Sequence, residues 1–76
     1  MSEVLIAALD AAGTLEALQR ALAAHGWRLD VGSLDMKTWR TSLTLRSPAG
    51  VTVTASMECE TAVIRAWMIS TARGAP

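Results

Sequence analysis

The chain has 76 residues, 51% of them hydrophobic and 18% charged, and seven Lys and Arg balance seven Asp and Glu. That length holds one domain, residues 1–76, with a core too small for generous stability. A single cysteine excludes an internal disulfide, and interspersed, balanced charge lacks the basic excess from which phosphate binding draws its affinity.

The opening "MSEVLIAALD" has a short apolar run with Glu3 where a secretory leader would carry basic residues. It is too short to span a bilayer and has the wrong flank for a signal peptide. The free Cys59 fits a reducing compartment. A soluble cytoplasmic protein with no membrane contact is therefore expected.

Residues 3–12 favour helix, with Leu5, Ala8, Leu9 and Ala12 on one face. Gly13 interrupts, and a single kinked helix is the rival to two separate ones, since an internal glycine costs only about 1 kcal/mol. Residues 14–26, "TLEALQRALAAHG", make the clearest helix. Thr14 is a good N-cap, Leu15, Leu18 and Leu22 form a stripe, Glu16 faces the positive end of the helix dipole, and Gly26 suits a left-handed C-terminal cap.

In "GWRLDVGS", residues 26–33, Trp27, Leu29 and Val31 alternate with Arg28 and Asp30. That is the pattern of a half-buried strand. The next stretch is a hairpin over 38–58. Its turn, Ser47-Pro48-Ala49-Gly50, places proline and glycine as a type I turn with a left-handed glycine requires, giving a three-residue loop. That loop sets a register in which Leu45 faces Val53, Leu43 faces Ala55 and Thr41 faces Met57. On the other face Arg46 meets Thr52, Thr44 meets Thr54, Ser42 meets Ser56, and Arg40 meets Glu58 as an exposed ion pair. Hydrophobic pattern and turn chemistry agree on this register, and a slip of one residue would turn one strand's apolar side chains to the wrong face.

The segment "ETAVIRAWMISTARGAP" carries both strand and helix signals. Helix is preferred over a fourth strand, with Val63, Ala66, Trp67 and Ser70 on the core face, Arg73 in the last turn, and Gly74 and Pro76 as stop signals. The expected fold is α+β: a three-stranded antiparallel sheet with N-terminal and C-terminal helices on one face. Helix–strand–strand–strand–helix is also the order of double-stranded-RNA-binding domains. Those meet phosphates with lysines at the start of the last helix, where this chain has Glu58-Cys59-Glu60, so the order alone brings no function with it.

No catalytic, metal-binding or phosphate-loop motif stands out. Cys59 and His25 are the one cysteine and one histidine, but Glu58 and Glu60 flank Cys59 and oppose the thiolate that nucleophilic chemistry needs. The glycines stand singly, each read as a break, cap or turn. Cofactors, metals and small-molecule ligands are not expected. The hydroxyl-rich hairpin face, Arg40, Ser42, Thr44, Arg46, Thr52 and Thr54, is a candidate docking face, although antiparallel sheets commonly have one solvated face. Trp27, Trp39 and Trp67 are assigned to the core, with Trp39 the most exposed of the three. Ile64, Met68 and Ile69 lie beyond the expected core face of the last helix. With Trp39 they form a candidate protein interface, and a homodimer built on that helix is expected. The resulting reading is a non-enzymatic protein-interaction module, a small inhibitor or adaptor acting on an unidentified larger protein, of the kind that phages and other mobile elements encode. The competing reading is a small nucleic-acid-binding domain or, less favoured, a small enzyme using Cys59 and His25.

Overall fold

The computed structural model describes residues 3–74. In chain order it has α1 (Glu3–Ala11), α2 (Leu15–Ala24), β1 (Arg28–Asp35), β2 (Arg40–Arg46), β3 (Thr52–Glu58) and α3 (Thr61–Gly74). The strands form one antiparallel sheet in the order β1-β2-β3. α2 packs on β1, α3 packs on β3, and α1 lies against both of these helices. The shortest dimension is 17 Å, the thickness of one sheet with one layer of helices. The expected α+β architecture is what forms. Among the described residues, no helix is long and apolar enough to cross a membrane.

Two helices form rather than one kinked one. Ala11 ends the first, and Thr14 caps the second by accepting the Ala17 N–H at 3.1 Å. α2 closes through paired bonds from Gly26 N–H to Ala23 O and from Trp27 N–H to Leu22 O. The second of these needs the left-handed turn at Gly26, where φ is 78°. Arg65, on α3, donates to Ala12 O at 2.9 Å and so ties the end of α1 to the last helix.

The hairpin has the expected register throughout, from Arg40 opposite Glu58 to Arg46 opposite Thr52. Gly50 stands at φ 87°, and Ser47 N–H donates to Val51 O across the loop. The first strand differs from expectation. It runs from Arg28 to Asp35 rather than over 26–33, because a bulge between Val31 and Leu34 sets two residues, Gly32 and Ser33, against Ser42. A Cβ on Gly32 would lie 3.2 Å from Ser42 O. The extra residue resets the alternation, so that Leu34 as well as Leu29 and Val31 shares the inner face. The buried hydroxyl of Thr41 sits against the bulge, 3.4 Å from Ser33 O.

The core gathers Leu5, Ile6 and Leu9 from α1, Leu18 and Leu22 from α2, Leu43, Leu45 and Met57 from the sheet, and Ile64, Met68 and Ala72 from α3. This corrects the expected phase of the last helix. Ile64 and Met68, expected on an interface, are 1% and 0% exposed, while Val63, expected in the core, is 38% exposed. Trp67 and Ile69 are half-buried against the cluster. Gly74 is the last described residue of α3, and the expected stop there and at Pro76 lies outside the described residues.

Candidate protein-binding surface

The connection from β1 to β2, residues 36–39, begins with a local anchor. The Asp35 carboxylate accepts the Lys37 N–H at 2.9 Å. That backbone hydrogen bond holds the Asp35 carboxyl below its ordinary value, opposed by desolvation and helped by the backbone and side chain of Thr38. The connection ends at Trp39, whose φ of 56° is the one positive value at a non-glycine residue among those described. Left-handed backbone is uncommon for a bulky side chain and costs about 1–3 kcal/mol, so it persists only where neighbours over-determine it.

Cys59 supplies those neighbours. Its N–H donates to Trp39 O at 2.8 Å, and its carbonyl accepts the indole Nε1–H at 3.0 Å. Trp39 is thus clamped by main chain and side chain to the junction between β3 and α3. It nevertheless remains 47% exposed, beside the 72% exposed Met36 of the same connection. The assignment of Trp39 to the core is corrected, while the expectation that it is the most exposed of the three tryptophans holds: its strand-end position and left-handed backbone turn it outward. Trp27 and Trp67 are half-buried.

The register gathers Arg40, Ser42, Thr44, Arg46, Thr52 and Thr54 on the outer face of the sheet. Thr44 and Thr54 meet hydroxyl to hydroxyl at 3.1 Å. Arg40 stands opposite Glu58 as expected, but the ion pair does not form: its guanidinium donates to Ser56 O at 2.9 Å. At the margin, Arg28 pairs with Asp30 at 3.3 Å. The result is a hydroxyl-lined face with charges at its rim.

A third feature was not foreseen. Where α3 ends against the hairpin loop, Trp27, Leu45, Ser47, Val51, Val53 and Thr71 line a cleft of about 140 Å³. Ligand pockets span ~300–1,000 Å³, so this cleft admits a side chain or two rather than a cofactor. Val51 and Val53 are 52% and 39% exposed on its wall. The cleft depends on where the last helix ends relative to the loop, a relation between distant segments that no local pattern carries.

His25 and Cys59 do not come together. His25 caps α2 at the end of the sheet where Arg28 meets Arg46, and Cys59 follows Glu58 at the end where Arg40 lies. The six steps of β2 between these ends span roughly 20 Å at ~3.3 Å per residue. Among the described residues, no three His, Cys, Asp or Glu side chains converge as metal ligands. No family model, curated protein or solved structure matches the chain.

Proposed function

We propose that this chain is a non-enzymatic protein-binding module, a small inhibitor or adaptor that meets a larger protein through the Trp39 corner. One observation carries the reading: a half-exposed tryptophan held in left-handed backbone by two hydrogen bonds to Cys59. Strained backbone concentrates where geometry serves recognition or chemistry. Tryptophan is also the residue type most enriched among the anchors of protein interfaces. A fixed indole loses little conformational freedom when a partner covers it, so more of its contact energy appears as affinity. Met36 adds an adaptable apolar neighbour, and the outer-face residues from Arg40 onward provide a polar rim.

The test is affinity capture from the native host, followed by titration of the purified partner against wild type and Trp39→Ala. Loss of an anchor of this kind costs about 2 kcal/mol or more, roughly thirtyfold in Kd. Circular dichroism checks that the variant keeps its fold. A partner that binds Trp39→Ala as tightly as wild type would falsify the assignment.

A further inference from the structure

β1 and β3 are the two edges of the sheet, and they are built differently. β1 carries a bulge at Gly32–Ser33 and the charged side chains Arg28, Asp30 and Asp35. Those are devices that keep an edge from pairing with another strand. β3 is seven residues long, pairs with β2 without a bulge, and contains no proline or lysine. Its one charge is Glu58, at the end.

Two bonds fix which way its backbone points. Ser47 N–H donates to Val51 O, and Cys59 N–H donates to Trp39 O. Both involve odd-numbered residues flanking β3, Val51 and Cys59, so Val53, Ala55 and Met57 bond inward to β2, and Thr52, Thr54, Ser56 and Glu58 direct N–H and C=O to the edge, where the Glu58 carbonyl also accepts the Glu60 N–H at 2.8 Å. The Ser56 carbonyl accepts from Arg40, and its second lone pair can serve a further donor.

We infer that β3 pairs antiparallel with β3 of a second copy of this chain, joining two sheets into one of six strands about a two-fold axis at Ala55. This is a surface other than the Trp39 corner on which the proposed function rests. The strand is self-complementary in that register. Thr54 meets Ser56, Val53 meets Met57, and Thr52 meets Glu58, so every edge-directed residue faces another edge-directed residue. Hydroxyl side chains meet on the outer face and apolar ones on the inner face. Thr52 also neighbours Arg46 across the hairpin. Glu58 of the second copy therefore lies one strand beyond Arg46 on the same face, and the two-fold repeats this opposite-charge placement. The half-exposed Val53 gains an apolar neighbour on the side that its own chain leaves open. A single strand pair is a small interface, so the association is weak, with Kd in the micromolar range.

Sedimentation equilibrium on the purified chain from about 1 to about 500 µM tests the pairing in the range expected for so small a contact. Wild type should shift reversibly from monomer to dimer. Thr54→Pro removes an N–H that β2 does not use and crowds the edge, so it should keep the native circular dichroism and weaken dimerisation about tenfold or more. Thr54→Lys replaces it should the proline variant fail to fold, and should weaken the dimer in the same way. In a Cys59→Ser background, Ala55→Cys should cross-link to itself on mild oxidation, because facing residues of a non-hydrogen-bonded pair lie within disulfide reach. A monomer at every concentration overturns the inference. So does a dimer that is indifferent to both Thr54 variants, or one abolished only by Ile69→Lys on the last helix. Each of these results concerns the purified chain alone and leaves partner capture through Trp39 standing or falling on its own test.

Discussion

Gly50 and Trp39 share left-handed backbone for opposite reasons. Gly50 closes the hairpin at φ 87°, where the absence of a Cβ makes that conformation inexpensive. Trp39 adopts φ 56° despite its bulk because Cys59 holds it from two sides. A β-branched residue at position 50 has no such compensation. Gly50→Val should therefore lower stability by about 1–3 kcal/mol, seen as a lower urea midpoint with an unchanged slope. An unaltered midpoint would mean that the loop does not need its glycine. Arg40 shows how finely a single side chain chooses among partners. Register places it opposite Glu58, yet it takes the Ser56 carbonyl. An exposed ion pair contributes at most about 1 kcal/mol, so a fixed carbonyl within reach competes well.

At the scale of elements, α3 is the instructive case. Its buried residues, Ile64, Met68 and Ala72, are spaced i, i+4, i+8 and form one stripe. Val63 and Ala66 fall on the exposed side. Met68→Ala should cost about 2–5 kcal/mol, because it empties a fully enclosed site. Val63→Ala on the same helix should stay within about 0.5 kcal/mol. Chemical denaturation of the two variants measures this difference directly. Equal losses would show that Val63 is packed as deeply as Met68 and would overturn the observed phase of the helix. Arg65 explains part of the observed phase, since its bond to Ala12 O fixes the rotation of α3 against the end of α1.

For the molecule as a whole, electrostatics argue against nucleic acid as the principal partner. Seven basic residues balance seven acidic ones, and on the outer sheet face Arg28, Arg40 and Arg46 are interleaved with Asp30, Asp35 and Glu58. A duplex or single strand should bind more weakly than ~1 µM at physiological salt, the regime of sequence-independent contacts. Fluorescence anisotropy with labelled oligonucleotides measures it, and a sub-micromolar Kd would favour the nucleic-acid reading over protein binding. The same charge balance removes a barrier to self-association. Exposed Val31, Val51 and Val53 on a domain without disulfides point the same way.

What the sequence by itself determined was local. The caps of α2, the turn at Gly50, the register of β2 with β3 and the outer-face set from Arg40 to Thr54 depend on neighbours in the chain or across one tight loop. Their signals lie within a few residues of where they act. The bulge at Gly32 left a trace, an isolated glycine within a strand pattern. Its effect on Leu34 appears only once β2 is paired beside it. The tertiary structure alone decided the phase of α3, the clamp that fixes Trp39 and the cleft beside Val53. Apolar residues run round most of α3, from Ala62 to Ile69 with Arg65 as the one interruption. The pattern therefore has no dominant face, and packing against β3 and α1 chooses among nearly equal rotations. Trp39 is turned outward by bonds to Cys59, twenty residues away, and such a contact exists only after the chain has brought its ends of strand together.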